Sequence, residues 1–342
     1  MTPHSLHPSV VLIIAACVDY LIGDPWGWPH PVRVMGWAID RYTQFAFKHF
    51  PTPTLRFFGV MLGVGLVSGS GLVGWLIVQG ANWLHPLFGI AVEGILLASC
   101  FAGRSLRAAA DAVLQPLTAK ALLQARSTLS LYVGRDTENL CEPDILRAVL
   151  ETVTENAIDG VMAPLFYCII GASVPIVGAV PLAFAYKAAS TLDSMVGYRE
   201  APYTDLGWFS ARLEDGLTWL PCRLTVITLA LLSGKPQHVW RICHRDAIKD
   251  SSPNSGWSEC AYAAVLGVQL GGTNWYRGVE KHKPLLADPI HPITPARIYQ
   301  ALQLTRYCFL IWLGVALGWL NRGYGLGDLP LLLLLPLPPL LP

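Results

Sequence analysis

The sequence predicts an all-α, polytopic membrane protein, and three observations support this. Of its 342 residues, 53% are hydrophobic and only 14% are charged, whereas soluble domains carry about 25% charged residues. The mean hydropathy is +0.44, and several apolar runs approach the length of about 20 residues that a membrane-crossing helix needs. Many of the 12 Trp and 12 Tyr lie near the ends of these runs, as aromatic residues do at the lipid headgroup level. The net charge of +1 predicts no bulk attraction to nucleic acid.

Six apolar segments divide the chain, which we interpret as a single integral membrane domain over residues 1–342. Three polar stretches between them hold most of the charge, at residues 103–160, 187–215 and 234–297. The tail 329–342 is rich in Leu and Pro, and because its prolines prevent a regular helix, we assign it no catalytic role. The apolar segments lie at about residues 9–22, 57–79, 84–102, 161–186, 216–232 and 302–320.

The connections between these segments predict how the chain crosses the membrane. Only the short connector 80–83 separates the second segment from the third, which predicts a helical hairpin. The fourth segment contains three prolines and two glycines, so we expect two short helices that enter and return, broken near residues 171–175. The fifth contains Pro221 and Arg223, and we expect it to lie inside the protein or to dip partway. Non-helical backbone at membrane depth is tolerated only where protein or a water-filled cavity covers it.

Basic residues predict the orientation of the chain. Lys and Arg are concentrated on both sides of the predicted hairpin and are absent from its connector. Cytoplasmic loops of membrane proteins carry the excess of Lys and Arg. We therefore expect all three polar stretches, and any active site they form, on the cytoplasmic side of the cell membrane.

Residues 69–74 match the pattern G-x-G-x-x-G. A dinucleotide site needs this pattern after a strand and at the start of a helix, whereas here it lies in the middle of an apolar segment. Glycines four residues apart let membrane helices approach closely, so we interpret the pattern as helix packing. The sequence also lacks G-x-x-x-x-G-K-[ST], so any use of ATP needs another binding cradle.

Glu151, Glu155 and Asp159 form an acidic stripe along one predicted helix, because residues four apart lie on the same face. Like charges at this spacing repel one another. On a solvated face bulk ions relieve the repulsion, whereas at a site a bound Mg²⁺ or a cationic substrate does so. This helix leads directly into the apolar segment at Val161, where charge is costly, and that position favours a site.

Three further polar clusters lie at the edges of apolar segments. The first combines two cations with one carboxylate, which suits phosphate plus metal or lipid headgroups at a membrane edge. The second lies at the mouth of the fifth apolar segment. The third is a strong turn signal, for which a plain structural turn is the alternative. Their members are Lys187, Asp193, Ser194 and Arg199; Arg212, Glu214 and Asp215; and Ser252, Pro253, Asn254, Ser255 and Gly256, with Glu259 beyond.

Short motifs from across the chain, taken together and in order, carry a family resemblance. The pieces are Asp19 with Gly23-Asp24-Pro25; His30-Pro31-Val32; Gly134-Arg135-Asp136-Thr137; Glu151-Thr152 with Glu155-Asn156 and Asp159-Gly160; Ala163-Pro164-Leu165; Asp193-Ser194-Met195-Val196-Gly197-Tyr198; Ala211-Arg212-Leu213 with Asp215; Pro221 with Arg223-Leu224; Ser252-Pro253-Asn254 with Gly256; and Leu270-Gly271-Gly272 with Tyr276 and Gly278. This ordered set resembles adenosylcobinamide-phosphate synthase, an integral membrane protein family of the cobalamin (vitamin B12) pathway. The resemblance extends from about residue 19 to about residue 286. The sequence departs from the family at Cys222, where a small residue such as Ala is expected, and in the Leu/Pro-rich tail.

The resemblance implies an enzyme that joins the free propionate of adenosylcobyric acid to the amine of aminopropanol or its phosphate, giving adenosylcobinamide or its phosphate. A carboxylate and an ammonium do not condense spontaneously, so ATP and Mg²⁺ are expected, with a carboxylate to take the proton from the ammonium. The candidate catalytic residues are Glu151, Glu155, Asp159 and Asp193, and the candidate Mg²⁺ ligands are Glu155, Asp159 and Asp193. The candidate substrate- and phosphate-binding residues are Arg135, Asp136, Lys187, Ser194, Arg199, Arg212, Asp215, Ser252 and Asn254.

Two other classes of function fit parts of the pattern. A polytopic transporter would also contain broken apolar segments and carboxylates at the membrane edge, but most of the charge here lies outside the apolar segments. A non-enzymatic membrane sensor on the same fold is the second alternative. The sequence leaves open which amine is used, which carboxylate is the base, and how the chain oligomerises.

Overall fold

The computed structural model describes residues 8–23 and 30–323, so Asp24, Pro25 and the tail 329–342 lie outside it. The described residues are predominantly helical, which confirms the all-α prediction, and they include one antiparallel β-hairpin. A π-helical turn, Ile158–Met162, joins α7 to α8. The helices are α1 (Pro8–Leu21), α2 (Pro31–His49), α3 (Thr52–Leu84), α4 (Pro86–Ala98), α5 (Gly103–Thr118), α6 (Leu122–Leu129), α7 (Glu142–Ala157), α8 (Ala163–Ala172), α9 (Ala179–Val196), α10 (Trp208–Leu232), α11 (Pro236–Asp246), α12 (Ser255–Leu266) and α13 (Pro295–Gly323), and the strands are β1 (Leu270–Tyr276) and β2 (Val279–Leu286).

Five helical stretches in the described part of the chain are long and apolar enough to cross a membrane, which confirms a polytopic membrane protein. The predicted hairpin is present, but its turn lies at His85 and not at residues 80–83, because α3 continues to Leu84. His85 begins α4 by accepting the backbone N–H of Leu87 at 3.2 Å, and Pro86 fits the first turn because its missing N–H leaves no helical bond unmade. The five stretches are Thr52–Leu84, Pro86–Thr118, Glu142–Ala172, Trp208–Leu232 and Pro295–Asn321.

The apolar segment 161–186 is broken into two helices, as predicted. Helix α8 ends at Ala172 and α9 begins at Ala179. Gly178, just before α9, has φ +84°, a conformation that glycine adopts at little cost. The two helices pack against each other, so the chain reverses direction between them.

Two apolar cores meet at the C-terminal end of α7. The first core joins α5, α6 and α7 with α10, α11, α12, the hairpin and the beginning of α13. The second joins α1, α4, α8 and α9 with the end of α13. Val161 and Met162 belong to the first core, and Leu165 and Cys168 to the second. The π-helical turn therefore lies where the chain passes between the cores, and such turns are frequent at functional sites.

Helix α10 buries its second half in the first core. Cys222 and Val226 are fully buried there, together with Ile242 of α11. The opposite face of α11 carries Arg241, which is exposed. The other face of α10 carries the exposed apolar side chains of Leu224, Ile227 and Leu231, and the helix is long and apolar enough to cross a membrane. A position of segment 216–232 inside the protein therefore stays a prediction.

The β-hairpin is a departure from the sequence-based prediction, which contained no strands. Its turn places Arg277 at φ 52° and Gly278 at φ +75°. Asp136 accepts the backbone N–H groups of these two residues at 2.9 and 2.7 Å. Gly271, at φ +85°, lies at an irregularity in the strand register between Leu270 and Gly272. The glycines and Asp136 therefore fix the hairpin over the N-terminal half of α7.

The glycines of residues 69–74 lie inside helix α3, which confirms that they do not form a strand-to-helix phosphate loop. A Cβ at Gly71 would lie 3.1 Å from the carbonyl oxygen of Pro181 in α9, whereas a Cβ at Gly69 would meet nothing within 4 Å. We expect Gly71→Ala to lower the thermal unfolding midpoint of the detergent-solubilised protein, with no change in ATP affinity. Gly69→Ala is the matched control and should leave both unchanged. A loss of ATP affinity in folded Gly71→Ala would contradict the packing interpretation.

Candidate functional site

A polar cavity of about 210 Å³ lies beside the π-helical turn, near the C-terminal ends of α7 and α9 and the beginning of α10. Glu155 and Asp159 reach it from α7 and the π-helical turn, Asp193 from the end of α9, Asp215 from the first half of α10, and Asn254 from the loop before α12. Each of the three polar stretches of the sequence thus contributes to one cavity. The other lining residues are Ile158, Gly197, Arg199, Ala211, Glu214, Ser251, Ser252, Ser255 and Ser258.

Carboxylates dominate the cavity wall formed by α7, α9 and α10. Burial, together with the nearby carboxylates of Asp215 and Glu155, raises the pKa of Asp193 to about 6. Glu214 is buried and accepts a hydrogen bond from the hydroxyl of Thr218 on the next turn of α10. Like charges this close favour a bound cation or a retained proton, so this wall suits an ammonium group or a metal ion.

Hydrogen-bond donors also line the cavity, from the loops that precede α10 and α12. Arg199 lines the cavity and donates to the carbonyl oxygen of Ser251 at 2.9 Å. Ser252 and Asn254 line the cavity from the turn that the sequence had marked. A guanidinium, a hydroxyl and an amide are groups that bind phosphate oxygens, so the cavity combines carboxylates with hydrogen-bond donors.

The structure brings together the larger part of the predicted site. The residues that line the cavity as predicted are Glu155, Asp159, Asp193, Arg199, Asp215, Ser252 and Asn254.

Glu151, Arg135 and Asp136 lie outside the cavity, contrary to the sequence-based expectation. Glu151 is 1% exposed and pairs with Arg135 at 2.5 Å and with Arg147 at 3.3 Å. Arg135 also donates to Asn274 of the hairpin at 2.7 Å, and Asp136 binds the hairpin turn. These charges connect α7 to the hairpin, so the acidic stripe divides into one structural residue and two cavity residues.

Lys187, Ser194 and Arg212 do not line the cavity either. Lys187 is half-buried on α9, close enough to Asp159 for its charge to act on that carboxylate. The hydroxyl of Ser194 donates to a backbone carbonyl of its own helix. Arg212 is exposed and acts on Asp215 only through its charge. These three residues lie on α9 and α10, which border the cavity, and their role in the site stays a prediction.

A buried ion pair next to the cavity escaped the sequence analysis. Lys283 of β2 contacts the carboxylate of Glu259 in α12 at 2.9 Å, and Glu259 is fully buried. Burial raises the pKa of Glu259 to about 8, although Lys283 lowers it. Burial also lowers the pKa of Lys283, but the carboxylates of Glu259, Glu155 and Glu151 outweigh this and raise it above its usual value. Lys283 lies on a strand that the sequence analysis did not predict, and for that reason it was missed.

The predicted set of three magnesium ligands is not assembled in advance. Within residues 8–23 and 30–323, no group of three or more His, Cys, Asp or Glu residues is placed to hold a metal ion. Mg²⁺ in phosphate-binding enzymes is held by only one or two carboxylates, with phosphate oxygens and water completing its shell. The oxygen ligands of the cavity fit that second arrangement.

Comparison with known proteins identifies the family. A family model described as CobD/Cbib protein matches residues 12–305. The chain belongs to this family. It is 54% identical over 310 residues to the cobalamin biosynthesis protein CobD of Synechocystis sp., covering 90% of this chain and 91% of that protein. It is 42% identical over 294 residues to CobD of Geobacter metallireducens, covering 83% and 88%, and 40% identical over 303 residues to the cobalamin biosynthesis protein CbiB of Salmonella choleraesuis, covering 86% and 93%.

These relatives confirm the resemblance that the ordered motifs carried, and they support a role in cobalamin biosynthesis. Their names state a pathway and not a reaction. No solved structure matches the chain.

Proposed function

We propose that this protein forms an amide bond in cobalamin biosynthesis. It joins the free propionate of adenosylcobyric acid to the amine of aminopropanol or aminopropanol phosphate, with ATP and Mg²⁺. The observation that carries the proposal is one cavity that three separate polar stretches line with carboxylates and hydrogen-bond donors.

The carboxylates and donors of the cavity match the charges of the reactants. ATP would supply an activated phosphoryl group for the propionate, and Mg²⁺ would neutralise phosphate charge. Arg199, Ser252 and Asn254 bind phosphate oxygens. On the acidic wall, carboxylates bind the substrate ammonium, and one of them removes its proton before the amine attacks. One or two of Glu155, Asp159 and Asp193 would hold the metal ion.

The size of the cavity supports binding of the reacting groups inside it and of the corrin ring outside it. Its volume of about 210 Å³ is below the range of roughly 300–1,000 Å³ that is usual for pockets that enclose drug-sized ligands. The reacting carboxyl, amine and phosphate groups therefore lie inside. The corrin ring is much larger, and it lies at the rim with only its propionate arm in the cavity.

The shared cavity also supports the placement of all three polar stretches on the same side of the membrane. ATP and the corrinoid are cytoplasmic, so we assign the cavity to the cytoplasmic side of the cell membrane.

Cysteine labelling in intact cells tests this orientation. Single cysteines replace Ser130, Thr204 and Ser251, one in each polar stretch and all exposed, in a background without the native cysteines. We expect no labelling at these sites by a membrane-impermeant reagent added outside. A cysteine at His85, which is exposed in the turn between α3 and α4, is the matched control and should be labelled. Labelling of Thr204→Cys or Ser251→Cys from outside would contradict the assignment.

Corrinoid intermediates in a deletion strain test the proposed step in the cell. We expect the strain to accumulate adenosylcobyric acid, and the wild-type chain but not Asp193→Asn to restore adenosylcobinamide. Normal conversion of cobyric acid together with a defect in uptake would favour a transporter instead. Normal conversion and normal uptake would favour a sensor.

A further inference from the structure

Asn254 has a fixed orientation at the cavity wall. Its side chain is 5% exposed, and its Nδ2 donates to the backbone carbonyl oxygen of Asp215 at 2.9 Å. Its Oδ1 faces Nη1 of Arg223 at 3.4 Å. A reversed amide would place two acceptors together at Asp215 and two donors together at Arg223, so both neighbours select the same orientation.

Arg223 is itself held in place from three sides. Its Nη2 donates to the carbonyl oxygen of Pro253 at 2.8 Å. Its guanidinium lies 4.4 Å from the ring centre of Trp257 and 5.2 Å from that of Trp219. Planar guanidinium groups stack well on aromatic faces. Arg223 therefore connects α10 to the loop that carries Asn254, without lining the cavity itself.

The orientation of the amide decides which chemistry Asn254 offers. An amide nitrogen carries two N–H groups, and the protein uses one of them, on Asp215. Oδ1 faces Arg223 and Asn254 lines the cavity, so the second N–H is the group that this amide can offer to a ligand there. A donor matches a phosphate or carboxylate oxygen and not an ammonium group, which needs an acceptor.

We propose that Arg223 is a positioning residue that orients Asn254 as a hydrogen-bond donor to a phosphate oxygen of the substrates. The identity of those substrates rests on the proposed function, which offers two sources of phosphate, the nucleotide and the phosphorylated amino alcohol. Arg223 acts through Asn254 and contacts neither of these phosphate groups itself.

Steady-state kinetics with the purified protein test the claim through three variants. We expect Arg223→Met and Asn254→Ala each to raise the KM of a phosphate-bearing substrate roughly tenfold or more, as loss of a hydrogen bond to a charged group does, with a smaller change in kcat. In the double variant the effect should equal that of Asn254→Ala alone, because residues that act as a unit are not additive. KM effects that multiply in the double variant would overturn the proposal, because two independent losses, such as a general loss of stability from each substitution, also multiply. Arg241→Met, an exposed arginine on α11, is the matched control and should change nothing.

The source of the phosphate follows from comparing amines. A KM effect confined to aminopropanol phosphate, and absent with aminopropanol, assigns Asn254 to the amine substrate. An effect on the KM of ATP with both amines assigns it to the nucleotide. Unchanged KM values for both ATP and aminopropanol phosphate in folded Asn254→Ala would overturn the proposal.

Direct binding of ATP and of aminopropanol phosphate, measured by calorimetry, separates this inference from the proposed function. If the wild-type protein binds either ligand but forms no amide, the proposed function fails. The inference is then upheld by weaker binding to Arg223→Met and overturned by equal binding. Absence of binding of both ligands to the wild-type protein would also overturn it.

Discussion

Replacing Glu155 by Gln is expected to reduce amide formation by roughly 100-fold or more, and Asp193→Asn should do the same. Both side chains line the cavity from different helices, and each substitution removes a negative charge without changing the shape of the side chain. The loss follows because the acidic wall then binds the ammonium or the metal ion less strongly and lacks a proton acceptor. The measurement is kcat of each purified variant with adenosylcobyric acid, ATP and the amine.

Glu142→Gln provides the matched control on the same helix. Glu142 is exposed at the beginning of α7 and pairs with Lys120 at 3.5 Å, and exposed pairs of this kind contribute little. The activity and the unfolding midpoint of the Glu142→Gln protein should equal those of the wild type. Near-normal amide formation by Glu155→Gln or by Asp193→Asn would remove that residue from the site.

Glu151→Gln is expected to affect stability far more than the geometry of the cavity. Glu151 lies buried between Arg135 and Arg147 and accepts the backbone N–H of Gly271 at 3.0 Å. Breaking a buried ion pair by removing one partner costs about 3–5 kcal/mol, because the arginines remain buried without their anion. We expect the thermal unfolding midpoint to fall by roughly 10 °C.

Asn274→Ala separates the two contributions of this network. It removes one acceptor of Arg135 at the hairpin and leaves the ion pair with Glu151 in place, so its effect on the unfolding midpoint should be smaller. An unchanged midpoint in Glu151→Gln, together with a loss of activity like that of Glu155→Gln, would return Glu151 to the catalytic site.

The sequence predicted those features that depend on local pattern. Apolar length predicted a polytopic protein but not the bounds of its candidate spans, since two of them, Pro86–Thr118 and Glu142–Ala172, extend into the predicted polar stretch 103–160. Proline with glycine predicted the break between α8 and α9. The exact turn at His85 was not predicted, since α3 continues through residues 80–83, which the sequence analysis assigned to a connector. Helix ends depend on capping contacts such as that of His85 with Leu87, which hydropathy does not record.

The candidate site was predicted in part, for a related reason. Helical periodicity placed Glu151, Glu155 and Asp159 on one face, but it does not say what that face meets. The hairpin covers the first of them and the cavity receives the other two. Lys283 and Glu259 were missed as a pair because they come from a strand and a helix whose contact is purely tertiary.

Amide formation by the purified protein is the decisive test of the proposed ligase activity. The detergent-solubilised chain is incubated with adenosylcobyric acid, aminopropanol phosphate, ATP and Mg²⁺, and the corrinoid products are identified by mass spectrometry. The account predicts adenosylcobinamide phosphate in amounts that depend on ATP and on the wild-type chain, with almost none from Glu155→Gln. A folded wild-type protein that yields no amide product, or yields as much without ATP, would contradict it.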